Sequence, residues 1–178
     1  MSSHQRTSPS NYTRILSTFG FILSIYALYV EHRMSHPPDG DDEEFVALCD
    51  IDAIGASCSH AFTLPEGRLL TYLNIVPHDH FLDVPNAVLG ILYYTSIFLL
   101  EQTMLRTYRT VVGSAYGWVK MTVGFNVMSM ASSVFLASRL LALGEFCILC
   151  WSIHLINLLL LVYYVRILVK GRGTEKLD

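Results

Sequence analysis

The sequence predicts an all-α membrane protein: a four-transmembrane-helix bundle with one long loop or cap between the first and second helices. Three observations predict it. Of 178 residues, 52% are apolar and only 15% are charged, whereas an ordinary soluble domain carries about a quarter charged residues. Mean hydropathy is +0.42. Four segments reach the roughly 20 mostly apolar residues that a spanning helix needs. A net charge of -3 leaves no basic excess to attract nucleic acid. Four Cys, six Pro and eleven Gly exclude a disulfide-dense miniprotein and a collagen-like repeat. The length fits one membrane domain over residues 1–178.

The first span covers residues 11–30, with the core ILSTFGFILSIYALYV. Glu31-His32-Arg33 follows it in place of a small-residue cleavage site, so it reads as a retained helix. The second covers residues 84–105 (VLGILYYTSIFLL at its core) and the third residues 116–141. The fourth covers residues 145–169, with LINLLLLVYYV the most apolar part and a tail over residues 170–178. Four spans put both termini on one side. Arg6, Arg14, Arg106, Arg109, Lys120, Arg166, Lys170, Arg172 and Lys176 fall on that side, against Arg33, Arg68 and Arg139 opposite. This asymmetry favours cytosolic termini. Asn11-Tyr12-Thr13 matches a glycosylation sequon that should then stay bare.

The loop over residues 31–83 faces the endoplasmic reticulum lumen, a periplasm or the exterior. Residues 37–44 (PPDGDDEE) read as a polar, mobile stretch, and residues 43–52 as a short helical turn. Residues 68–81 (RLLTYLNIVPHDHF) are too apolar for solvated coil, which leaves an interfacial lid or a small packed core. Pro77 and Pro85 break any helix through this region.

Cys49 and Cys58 lie in the loop, and Cys147 and Cys150 where the fourth span begins. All four thiols therefore face one non-cytosolic compartment, which suits oxidising chemistry. Two thiols three residues apart at a helix start share a face and form a reducible disulfide. The free N–H groups of a first helical turn favour a thiolate there. Set at a membrane interface, such a pair can pass electrons to a lipid-soluble acceptor. A zinc site made with Cys49 and Cys58 is disfavoured by the spacing and by the apolar helix. Two inert structural disulfides remain an alternative, weakened because structural disulfides rarely form within one helical turn.

Cys147, Cys150 and His154 fall on one stripe of the fourth span. A histidine at membrane depth is a functional candidate, with interhelical hydrogen bonding as the alternative. Asn157 reads as a helix–helix contact. Asn86, at the start of the second span, either caps its helix or donates to a ligand carbonyl. Tyr93 and Tyr94 offer flat surface and a hydroxyl to a ring, although core packing explains them nearly as well. Glu101 is expected at the cytosolic interface or paired with Arg106 or Lys120, with no chemical role.

SIYALYVE, LCDI…SCSHAF, PNAVLGILYY and EFCILCWSIHLIN together resemble the vitamin K epoxide reductase family over residues 24–157, with all four cysteines in order. The resemblance implies a helical bundle around a quinone pocket under a lumenal cap, in the endoplasmic reticulum membrane. It implies that Cys49 and Cys58 shuttle electrons from thioredoxin-like lumenal proteins. Cys58 would attack the Cys147–Cys150 disulfide at Cys147, and Cys150 would face the quinone or epoxide. Asn86 matches the family's ligand-binding Asn, and Phe62, Leu89, Tyr93 and Tyr94 fall at pocket positions. Vitamin K quinone or epoxide is implied as substrate, coumarins as inhibitors, and no metal or resident cofactor.

Four features depart from the pattern. Eight residues separate the loop cysteines, one more than in vertebrate members. Pro65-Glu66-Gly67 replaces a Ser/Trp/Gly-rich stretch. Thr63 is the nearest match to the family's loop hydroxyl. His154 stands where vertebrate members carry a tyrosine; an imidazole can donate to a carbonyl and deliver a proton. With no fused thioredoxin-like domain in the sequence, the reductant is expected to be a separate protein. Three readings of function follow: a vitamin K quinone or epoxide reductase, a disulfide-generating quinone oxidoreductase, and a four-span scaffold with structural disulfides.

Overall fold

The computed structural model describes residues 11–36, 45–78, 80–108 and 112–175. Four long helices carry the architecture: α1 (Asn11–Ser35), α4 (Asn86–Tyr108), α5 (Val112–Leu143) and α6 (Ile148–Glu175). Two short helices, α2 (Cys58–Thr63) and α3 (Leu69–Tyr72), lie in the loop. Among the described residues, three helical segments are long and apolar enough to cross a membrane: Asn11–Ser35, Gly117–Leu143 and Ile148–Val169. The 23-residue α4 packs against α1 and α5, and α6 packs against α1 and α5.

α1 buries Thr13, Ser17, Gly20, Ser24, Ala27 and Val30 and exposes Ile15, Phe19, Ile22, Ile25 and Tyr29. Small residues inward and large apolar ones outward is the pattern of a helix whose outer face meets lipid. The stripe allows close approach to α4. A Cβ on Gly20 would stand 2.2 Å from the Tyr94 ring, and one on Gly90 would stand 2.6 Å from Ser24 Oγ. Lower in the bundle, Tyr94, Ile97, Ile156, Leu160 and Tyr164 form a core.

Gly144 ends α5 with φ +72°, the left-handed position that glycine occupies without strain. Glu145 N–H then donates to the Leu140 carbonyl. Residues 145–147 run extended, so α6 begins at Ile148 and not at residue 145. Ala56 forms a parallel bridge with Phe146, and Ser57 N–H donates to the Phe146 carbonyl at 2.9 Å. His60 Nδ1 lies 2.9 Å from Glu145 Oε1. The loop is thereby stitched to the α5–α6 hairpin.

The remaining expectations divide. The helical turn over residues 43–52 does not form in the described part: residues 45–50 are a turn closed by Asp50 N–H on the Ala47 carbonyl. The stretch 37–44 lies outside the described residues. α1 runs on to Ser35, and α6 continues to Glu175 through most of the expected tail. In residues 68–81, Leu69 and Val76 are buried while Leu73, Ile75 and Phe81 are exposed, so the segment packs with one side only. Glu101 is buried and accepts a hydrogen bond from the Tyr164 hydroxyl.

Candidate active site

The sulfurs are arranged by the loop. Cys49 and Cys58 are joined as a disulfide, with Cys49 partly exposed and Cys58 fully buried. Cys58 is the first residue of α2, and Asp50 fixes it. The Asp50 carboxylate accepts from the N–H groups of Cys58 (2.5 Å), Ser59 (3.0 Å) and Ala47 (3.0 Å), and from the Ser59 hydroxyl. Burial pushes the Asp50 carboxyl up, but the Ser59 hydroxyl and the N–H groups of Ser59, Ala47 and Cys58 outweigh it and hold the carboxyl low. Tyr26 of α1 steadies the same turn, its hydroxyl oxygen accepting the Leu48 N–H at 2.8 Å.

Cys147 and Cys150 are free thiols. Cys147 is fully buried, and its Sγ lies 3.4 Å from Cys58 Sγ. The Cys150 N–H points at Cys147 Sγ at 3.3 Å, as a first-turn donor favouring negative charge on that sulfur. Cys150 sits one turn along and lines the main cavity, whereas Cys147 does not. The order is therefore a partly exposed sulfur, two buried sulfurs in contact, and a sulfur facing a cavity.

The cavity has a volume of about 490 Å³ and mostly apolar walls. Cys150, His154, Asn86, Phe62, Leu89, Tyr93 and Tyr94 all line it. Both His154 ring nitrogens are buried and have no hydrogen-bond partner among the described residues. The tyrosines supply ring surface, but their hydroxyls are committed elsewhere: Tyr93 donates to Asn126 Oδ1 at 2.9 Å and Tyr94 to Asn157 Oδ1 at 2.8 Å. This corrects the expectation that they offer a hydroxyl to a ring. Asn157 also donates to Ser133 Oγ, joining α4, α5 and α6.

Asn86 does not cap α4 with its side chain. Its Oδ1 accepts from Leu69 N–H at 2.8 Å, and its Nδ2 donates to the Glu66 carbonyl at 2.6 Å. Thr63 lines a smaller cavity and not the main one, and its hydroxyl donates to the His60 carbonyl. Three contributors were not singled out from the sequence: Asp50, the Glu66–Arg139 ion pair (3.0 Å), and Glu31, which lines both cavities. Only Glu31 had a signal, as an acid at the end of an apolar helix.

Four cysteines set beside an apolar cavity in a helical membrane protein fit a membrane thiol–disulfide oxidoreductase. The family model for the vitamin K epoxide reductase family matches residues 12–165, and the chain belongs to that family. Quinones are the general kind of substrate on which the family acts.

Proposed function

We propose that this protein reduces vitamin K 2,3-epoxide, vitamin K quinone or both with electrons relayed from partner thiols. The observation that carries the reading is the 3.4 Å approach of Cys58 Sγ to Cys147 Sγ, with Cys150 on the cavity beside it. A thiolate of a thioredoxin-like partner attacks the partly exposed Cys49 and expels Cys58 as thiolate. Cys58 attacks Cys147 in the Cys147–Cys150 disulfide and expels Cys150. The partner's second thiol displaces Cys49 from the mixed disulfide and the partner leaves oxidised. The freed Cys49 thiolate attacks Cys58 of the Cys58–Cys147 bond, re-forming Cys49–Cys58 and leaving both active-site thiols reduced.

Cys150 then adds to the ring, with Asn86 and His154 donating to its oxygens in a dry pocket. Cys147 displaces Cys150 from the adduct and the Cys147–Cys150 disulfide re-forms. Two thiols supply two electrons and two protons: a quinone leaves as hydroquinone, and an epoxide leaves as quinone plus water. No metal or resident cofactor enters this scheme. Coumarin-type ring acids are the class of inhibitor that the same cavity would take.

The membrane reading places α4 as a fourth span beside α1, with the loop as a lumenal cap in the endoplasmic reticulum and both termini cytosolic. The charge asymmetry supports it, as does the position of Arg68 and Arg139 beside Asp83 and Glu66 at the loop end. Run toward partner oxidation, the same residues would serve a disulfide-generating quinone oxidoreductase. Purified protein in detergent, given dithiothreitol, should reduce both vitamin K epoxide and quinone when these are assayed separately. Cys150→Ser should lose turnover with every reductant, by at least about a thousandfold. Retained turnover in that variant rejects the scheme.

A further inference from the structure

Asn86, Glu66 and Arg139 form one connected unit on the cavity wall. Arg139, near the end of α5, donates through Nε (3.2 Å) and Nη2 (3.0 Å) to Glu66 Oε1. Its guanidinium also stands 5.8 Å from the centre of the Tyr72 ring on α3. Glu66 lies in the three-residue turn Pro65–Gly67, which Arg68 links to α3. Arg139 therefore ties both pieces of this short segment to the helical bundle. Burial pushes the Glu66 carboxyl up, but its own backbone N–H and the Arg139 guanidinium hold it below the ordinary carboxylate range, so the pair stays charged at neutral pH.

The same segment orients the Asn86 amide. A carboxamide has one acceptor oxygen and two N–H donors. Here the oxygen is taken by the Leu69 N–H and one N–H by the Glu66 carbonyl. A flipped amide would set N–H against N–H and oxygen against oxygen, losing both bonds. What Asn86 has left is one free N–H and the second lone pair of an oxygen already bonded to Leu69 N–H, so its stronger offer to the cavity is the donor. A ring carbonyl or epoxide oxygen accepts from that donor well. A phenolic hydroxyl is a weaker acceptor and must also place its own proton elsewhere.

We propose that Arg139 and Glu66 are positioning residues that hold Asn86 with its donor toward the cavity and so make the site prefer the oxidised ring over its hydroquinone. This deepens the quinone or epoxide reading and rests on it.

The test uses the full chain in detergent with 2-methyl-1,4-naphthoquinone and its hydroquinone under anaerobic conditions. Affinity is read by quenching of intrinsic tryptophan fluorescence, and KM and kcat are read in turnover. Glu66→Gln and Arg139→Gln should each weaken quinone binding by about fivefold, the worth of roughly one hydrogen bond, while hydroquinone binding changes less. The loss should appear more in KM than in kcat. The charge-swapped double variant Glu66→Arg with Arg139→Glu should recover part of it. Glu66→Asp and Arg139→Lys, which keep the charges, should fall between wild type and the Gln variants. These milder variants carry the test if the others fail to fold. Unchanged preference for quinone over hydroquinone in the folded variants overturns the inference while leaving the relay intact. A wild-type protein that binds neither ring overturns the function reading instead.

Discussion

Each sulfur has its own accessibility, and the variants should separate by it. Cys58→Ser leaves Cys147 and Cys150 facing one another beside the cavity. It should abolish turnover driven by a thioredoxin-like protein and retain turnover with a small dithiol, checked by running both reductants on one preparation. His154 is the second residue-scale test. Its ring nitrogens are buried with no partner among the described residues, an arrangement that costs energy unless a ligand completes it. His154→Leu should raise KM by about tenfold, and His154→Tyr, which keeps a donor, by less. Wild-type KM and kcat in both variants would reduce His154 to packing. Much of this was legible beforehand. Cys150 and His154 lie on one helix, where helical periodicity places them without tertiary knowledge, while Cys147 precedes the first residue of α6. The committed tyrosine hydroxyls were not legible, because their acceptors, Asn126 and Asn157, lie on other helices.

Two elements decide whether those residues meet. The first is the turn before α2, held by Asp50. Its carboxyl is held low by hydrogen bonds, so its contribution is complete at neutral pH and is lost as pH falls below the ordinary carboxylate range. Partner-driven turnover should therefore fall in acid sooner than dithiol-driven turnover. Asp50→Ala should cost about tenfold in the partner-driven rate at neutral pH. A turn of this kind is hard to read from sequence, since its carboxylate bonds residues three and eight or nine positions on either side. The second element is the α1–α4 contact. Gly20→Ala would drive a methyl into the Tyr94 ring and should lower stability by about 1–3 kcal/mol, measured as faster thermal inactivation in detergent. The sequence located both helices from hydropathy. It gave no sign that Gly20 and Gly90 were contact points, because a glycine in an apolar run reads the same whether it faces lipid or a neighbour.

At the scale of the whole molecule, the proposed topology puts Asn11 in the cytosol and the loop in the lumen. In a glycosylating host, Asn11 should stay unmodified, while a sequon introduced at residues 39–41 should be occupied; gel mobility before and after glycosidase treatment reads the result. The reverse pattern would invert the bundle. The long helices followed from apolar length alone, but the loop's fold did not, since it depends on backbone pairing with a hairpin almost ninety residues away. That pairing is slight: a single bridge from Ala56 to Phe146 with one N–H from Ser57. Its reach is nonetheless large, because residues 58 and 147 follow directly on from it. In the proposed relay, handing over an electron pair here asks only that one side chain swing about its Cα–Cβ bond, so a cross-link that freezes the loop onto the hairpin should leave this hop as fast as before.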